Sequence, residues 1–364
     1  MFLKTVMERN QPLVRLGIEW QQNGVILPDT YLLDYDTILE NARSIKQAGD
    51  ANGVQNFFML KQIGRNPLIA RALTDMGYVG AVCVDFREAL TMVENQIPLG
   101  NVGHLVQIPR AALKKILRAK PVIVTVYTLE KAREISAVCT ELGLHQKLML
   151  RVLGEGDMLY SGQYGGFELQ ELDSAVRAIE AMPNVEVGGV CSFPCFLYDE
   201  AAQDILPMPN LRTVQTAAEM LRARGYRDLM LNTPSATCTH SIPMIAAAGG
   251  THGEPGHGLT GTTPYHAGHP DAEERPGYLY VSEVSHNLGD KAYCYGGGHY
   301  RRGHMKNALV GTTPENAKVV PVLPPDDSSI DYHFELQQNC PVSAAAVMAF
   351  RTQFFVTRSR VAVV

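Results

Sequence analysis

Asn56-Phe57-Phe58-Met59-Leu60-Lys61 is the stretch whose reading decides the fold. Four residues, Phe57 to Leu60, run apolar without alternation, and the run ends on a lysine. A strand buried on both faces needs such a run, because in a parallel sheet neither face meets water. Seven similar runs follow: GAVCVD (80–85), VGHLVQ (102–107), VIVTVY (122–127), KLMLRVL (147–153), VEVGGVCS (185–192), DLMLNT (228–233) and IAAAGGTH (245–252). Segments of helical spacing separate most of them. Residues 66–76 place apolar side chains at 68, 69, 72, 73 and 76, with Pro67 at a first helical position. Leu129 to Leu142 and Leu172 to Met182 read the same way.

Eight βα units in succession predict an α/β fold, a (β/α)8 TIM-type barrel. A doubly wound open sheet would want a Gly-rich dinucleotide turn after its first strand, and LKQIGRNP (60–67) is no such turn. After about residue 260 Gly, Pro and His dominate, and then come β-rich pieces such as YLYVSEV, KAYCYGGG and AKVVPVL. These predict a second, mostly β domain. The expected division is 28–262 for the barrel and 1–27 plus 263–364 for the β domain, with VRLGIEW (14–20) pairing into the latter. TYLLDYDTILENARSIKQAG (30–49) reads as a lead-in strand and first helix of the barrel.

A chain of 364 residues, 46% hydrophobic, suits a barrel plus an added module. A formal net charge of -5 with no block of like charges gives no general attraction to nucleic acid or anionic lipid. No apolar run is long enough to span a bilayer, and Met1 to Gln11 lacks the apolar core of a signal peptide. Seven scattered cysteines suit reduced thiols in a cytoplasm. Cys191 and Cys195, four apart, read as packing thiols.

Barrel active sites lie at the carboxyl ends of the strands, which is where Lys61 falls. Burial there lowers a lysine's pKa and frees its amine for Schiff-base chemistry. The plain alternative is a lysine snorkelling from a strand end.

DYDTILENARSIKQ (34–47) followed by NFFMLK resembles the opening of alanine-racemase-like (fold type III) proteins, which depend on pyridoxal 5'-phosphate (PLP). The order of elements agrees over roughly residues 30 to 260. The resemblance implies that Lys61 holds PLP through a Schiff base. It also implies a racemase-like isomerase acting at the α-carbon of an amino acid, as a head-to-tail homodimer. The family's Tyr-Gly turn after the lysine is replaced here by Gln62-Ile63-Gly64-Arg65.

Barrels hold phosphate with the loops after strands 7 and 8, through backbone N–H groups. In the loop 232–237, Ser235 matches the family's phosphate serine and Thr237 is a second donor; either could equally cap a helix. Glu254-Pro255-Gly256-His257 resembles the family's Arg-Pro-Gly turn, so Gly256 and His257 would offer N–H groups to the phosphate. An ordinary Pro-Gly turn is the alternative. By the same match Glu254 stands where alanine racemases put an arginine against the pyridine nitrogen. A carboxylate there favours the protonated pyridinium, a stronger electron sink. That opens lyase, aldolase and dehydratase chemistry beside racemisation.

Arg151 is a candidate partner of the cofactor's phenolic oxygen or, equally, a barrel-interior arginine paired with an Asp or Glu; Phe193 is a candidate to stack on the ring or, equally, a core aromatic; Gln163 is a further neighbour. Racemisation needs a second base opposite Lys61. By resemblance it comes from the β domain, where Tyr295, His299 and Tyr300 stand together and Arg301 or Arg302 could hold a carboxylate. Histidines 252, 257, 266 and 269 suggest metal ligands. Metal-dependent relatives, however, use a C-terminal histidine that Gln338-Asn339-Cys340-Pro341 lacks, so no catalytic metal is expected. Cys340 is instead a candidate to reach a partner's site. A non-catalytic PLP carrier is the third reading, and the second domain argues against it.

Overall fold

The computed structural model describes residues 1–364. The chain forms two compact units, one of Arg43–Leu60 and Arg65–Gly256, the other of Met1–Ala42, Lys61–Gly64 and His257–Val364.

In the first unit a parallel sheet runs through Gln55–Asn56, His252–Gly253, Met230–Asn232, Val185–Cys191, Gln146–Leu153, Ile123–Val126, Leu99–Val102, Ala81–Cys83 and Phe58–Met59. The two ends of that path are one stretch of chain broken only at Phe57, so the sheet closes on itself with eight strand positions. It is a (β/α)8 barrel, as the apolar runs predict. Register shifts at Ala81/Cys83 and Leu148/Met149 accommodate the closure.

The connecting helices form where their caps dictate. Asn66 Oδ1 accepts the N–H groups of Leu68 (2.9 Å) and Ile69 (3.3 Å) ahead of the helix Pro67–Asp75. Asp85 Oδ1 does the same from Glu88 at 2.9 Å for Phe86–Glu94. Thr128 opens Leu129–Leu142, which Gly143 ends at φ 62°, a left-handed conformation that costs glycine little.

Two runs are misplaced by the sequence reading. The third strand is Leu99–Val102, not 102–107, because Gly103 takes φ 92° and ends it. Of the last run only His252–Gly253 is strand; its first residues finish the helix Ile242–Ala247, since IPMIAA keeps helical spacing.

In the second unit six antiparallel strands close in a ring: Tyr278–Leu288, Lys291–Tyr295, His333–Leu336, Lys318–Leu323, Asn307–Gly311 and Ala345–Met348, which returns to Tyr278–Leu288. Thr30–Leu33 is not a lead-in strand of the parallel barrel. It pairs antiparallel with Tyr278–Val281 and parallel with Arg360–Val363. The N-terminal segment is helical, Leu3–Arg9 and Gln11–Gln22, not a strand. Its buried residues Leu13, Val14, Gly17, Ile18 and Gln21 recur at helical spacing, and Leu13, Val14 and Ile18 share a core cluster with Leu279, Val281 and Val347.

Barrel closure leaves no room at Gly100. A Cβ there would stand 2.5 Å from the Phe57 ring and 2.8 Å from the Gly80 carbonyl oxygen, and the backbone cannot step aside. Gly100→Ala is therefore expected to destabilise by ~1–3 kcal/mol, the usual cost of overpacking, read as a lowered Tm in thermal melts. An unchanged Tm would mean that the strands are not closed as described.

Candidate active site

At the carboxyl end of the parallel barrel lies a buried carboxylate. Glu254 directly follows the eighth strand, and its side chain is 1% exposed. Its Oε1 accepts two amide hydrogens, from Asn101 Nδ2 at 3.1 Å and Asn232 Nδ2 at 2.7 Å. Asn101 belongs to the third strand and Asn232 ends the seventh; both are fully buried. Thr125 Oγ1, from the fourth strand, donates to Asn101 Oδ1 at 2.7 Å. Glu254 Oε2 has no hydrogen-bond partner. The ring of His104 approaches it, with Nε2 at 3.7 Å. His104 is itself fully buried and edge-on to Phe193, with ring centroids 5.5 Å apart.

The cation of the site is Arg151, in the fifth strand and fully buried. Its guanidinium donates to Tyr127 Oη at 2.9 Å and to the Gln163 carbonyl at 2.8 Å. Tyr127 Oη in turn donates to the His104 carbonyl at 2.6 Å. Burial pushes the Tyr127 phenol upward and Arg151 opposes that. Arg151 Nε is buried and without a partner. Among the buried side-chain atoms without a partner are thus an acceptor, Glu254 Oε2, and a cationic N–H, Arg151 Nε, along with Gln163 Oε1 and Asn232 Oδ1. Sites so arranged are candidates for ligand binding, because such atoms are costly to leave unpaired. Around them Cys191 is driven up to about 12, chiefly by burial, which leaves it an inert thiol.

The loop after the seventh strand bends sharply: Ser235 and Ala236 take φ 105° and 52°. Ser235 is half-buried, and Thr237 Oγ1 accepts the Glu254 N–H at 3.2 Å. The next helix starts only at Ile242 with Ser241 before it, so neither Ser235 nor Thr237 is its cap. Gly256 is buried in the turn that closes this unit.

Other sequence candidates lie in the second unit. The first strand ends at Met59, so Lys61 opens the following turn; it is 8% exposed, and its carbonyl accepts the Phe354 N–H at 3.1 Å. His257 Nδ1 pairs with Thr262 Oγ1 at 3.2 Å, and Arg351 Nε donates to His257 Nε2 at 3.3 Å. Burial first, then the nearby charges of Arg351, Lys61, His266 and Arg302, holds this imidazole well below its ordinary pKa, hence neutral. Tyr295 ends a strand with 39% exposure. His299, half-buried, is lowered by burial, and its backbone N–H donates to Asp331 at 2.9 Å. Tyr300 Oη accepts from Gln353 at 3.4 Å. Arg301 is committed to a surface ion pair with Asp327 at 3.0 Å.

The four histidines that suggest a metal do not converge. His252 stacks on Phe57, His257 meets Arg351, His266 pairs with Glu274 at 3.0 Å, and His269 stacks on Tyr265. No group of three or more His, Cys, Asp or Glu side chains is disposed to hold a metal ion. Cys340 is buried, its backbone N–H and carbonyl both bonded to the Asn287 amide.

Sequence reasoning missed Asn101, Asn232, Thr125, His104 and Tyr127. The signal for His104 was present: with the third strand ended at Gly103, His104 falls on the carboxyl rim, where function is sought.

Residues 33–264 match the family described as alanine racemase, N-terminal domain, and residues 279–364 that described as YhfX-like, C-terminal domain. The uncharacterized protein YhfX of Escherichia coli (strain K12) is 43% identical over 366 residues, covering 100% of this chain and 94% of the relative. Among solved structures, D-threonine aldolase from Filomicrobium marinum superposes with a TM-score of 0.65 at 17% identity, covering 90% of this chain and 87% of that one. Alanine racemase of Clostridium difficile 630 in complex with cycloserine gives 0.61 at 14% identity, covering 88% and 86%. At such identities the two structures show a shared fold. No helix of the chain is long and apolar enough to cross a membrane.

His252 offers a test of the buried ring assignments. Burial lowers its pKa to about 4 from an ordinary 6.5. The folded state therefore binds this proton less readily than the unfolded state. Its neutral ring is fully accommodated above pH 6.5, and stability is lost as pH falls from there to about 4, then levels. Replacing it by glutamine, His252→Gln, is expected to flatten that interval of the stability curve, by on the order of 3 kcal/mol at most. Denaturant melts across the interval check it, and parallel curves for the two proteins refute it.

Proposed function

The chain belongs to the alanine racemase N-terminal domain family, here joined to a YhfX-like C-terminal domain, and from that premise we propose a PLP-dependent enzyme acting at the α-carbon of an amino acid. The observation that carries the reading is the pair of unsatisfied buried atoms, Glu254 Oε2 and Arg151 Nε. A protonated pyridine nitrogen is a donor suited to the first, and a phenolate oxygen is an acceptor suited to the second. The residues present thus fit the ring of PLP. When bound, PLP would withdraw electrons from the α-carbon of an amino acid joined to it.

Lys61 is the covalent anchor in this reading, a buried amine immediately after the barrel's first strand. Once displaced by substrate, Lys61 Nζ can take or return the α-proton on one face. Ser235, Thr237 and the backbone N–H groups of Gly256 and His257 are assigned to the phosphate. Thr237 Oγ1 accepts from Glu254 N and keeps its own hydrogen to donate. Phe193, held edge-on by His104, is assigned to the ring face. Tyr295, His299 and Tyr300 are the candidates for the second base. His299, kept neutral by burial, can accept a proton at neutral pH.

Racemisation or epimerisation is the first reading. A lyase, aldolase or dehydratase is the second, favoured by Glu254, because a carboxylate at the ring nitrogen sustains a fuller carbanion than an arginine does. We further propose a homodimer in a reducing cytoplasm, in keeping with seven buried cysteines, none of them in a disulfide.

The purified protein is expected to carry a visible PLP absorption that Lys61→Ala abolishes while its Tm changes little. Incubation with D- and L-amino acids in deuterated water should then show α-deuterium with inversion for a racemase, or a keto acid or aldehyde for a lyase. Glu254→Gln should retain the cofactor and lose turnover at least tenfold. If wild type and Lys61→Ala bind PLP alike, the assignment fails.

A further inference from the structure

Two amide hydrogens on a single carboxylate oxygen decide what the other oxygen can do. Asn101 Nδ2 and Asn232 Nδ2 both donate to Glu254 Oε1, so that oxygen can only accept. Any proton on Glu254 must sit on Oε2, and any donor Glu254 receives from a ligand must come to Oε2. The amide of Asn101 is itself turned by Thr125, whose hydroxyl donates to Asn101 Oδ1 and so directs Nδ2 toward the carboxylate. All four side chains are at most 1% exposed, so water does not compete for these bonds.

We propose that Asn101 and Asn232 are positioning residues, a two-amide clamp that presents Glu254 Oε2 as the lone acceptor for the ring nitrogen of PLP. The inference rests on the cofactor reading of the preceding subsection and deepens it: the clamp, with Thr125 behind it, fixes Oε2 as the oxygen of Glu254 that meets that nitrogen. The groups facing the carboxylate from neighbouring elements are His104, from the loop after the third strand, Cys191 at the end of the sixth strand and Cys195 beyond it. The Cys191 thiol also feels Arg151.

The test replaces the donor by an isosteric acceptor, Asn101→Asp, beside an apolar control, Asn101→Leu. PLP is titrated into each cofactor-free protein and followed by its absorbance over a range of pH. Asn101→Asp should weaken PLP binding at least tenfold at alkaline pH and regain affinity as pH falls. A protonated aspartic acid restores a donor to Glu254 Oε1. Asn101→Leu should lose affinity without any such recovery. Wild-type affinity in Asn101→Asp at alkaline pH overturns the clamp, as does an equal loss in both variants at every pH.

Thermal melts of the cofactor-free proteins give a second readout. In Asn101→Asp two carboxyls share one proton, so the new group's pKa is raised in the folded state. Its contribution is then present at low pH and lost as pH rises. Stability relative to wild type should fall more steeply with rising pH in Asn101→Asp than in Asn101→Leu, which only removes one donor; equal slopes in the two variants overturn the clamp. These melts need no PLP. Should wild type take up none, the functional reading fails while the melts still decide the clamp.

Discussion

A carboxylate taken out of water is among the costliest groups a protein can bury, and the arrangement at the barrel's carboxyl end follows from making Glu254 tolerable. Two amide donors on Oε1 offset part of the desolvation. They come from residues 101 and 232, more than a hundred positions apart, and meet Glu254 because the eighth strand pairs with the seventh on one side and the first on the other. An open sheet would leave the first and eighth strands at opposite edges. Closure, with the glycine contact at Gly80 and Gly100 that allows it, is thus a condition for the charge as well as for the core.

Most of the barrel was legible in the sequence because a parallel sheet covered on both faces needs apolar runs, and helices between them show their caps. Asn66, Asp85 and Thr128 stand where side-chain capping requires them. What was hidden was hidden for physical reasons. VGHLVQ has the composition of a strand, and only the left-handed Gly103 ends the strand before it. VRLGIEW could alternate as a strand or repeat as a helix over so short a window, and packing of Ile18 on Leu279 and Val281 settles it as a helix. Thr30–Leu33 looks like a barrel strand because it too is buried throughout; its partners lie 245 to 330 residues away, beyond any local pattern.

The candidate site divides along the same line. Glu254 was legible because Glu254-Pro255-Gly256 resembles a turn of a known family, and Arg151 because it is a charge within an apolar run. Asn101, Asn232 and Thr125 were not, since a polar side chain in a strand reads as surface until its partners are known. Their role exists only in the folded geometry, where one amide's orientation is set by a hydroxyl and sets in turn which carboxylate oxygen is left over.

Glu254 Oε2 and Arg151 Nε, both without a partner, also constrain what the proposed site would select. An inorganic anion could satisfy Arg151 Nε but would be repelled by Glu254. A simple cation could meet Glu254 but not Arg151. A neutral apolar ligand would leave both unpaired, at a cost of about 1–3 kcal/mol each or more for charged groups. A planar ring with a donor on one edge and an acceptor on another meets both demands at once, and the flat faces of such a ring suit an aromatic like Phe193. In the proposed site, specificity would be set less by attraction than by which groups a wrong ligand leaves unpaired.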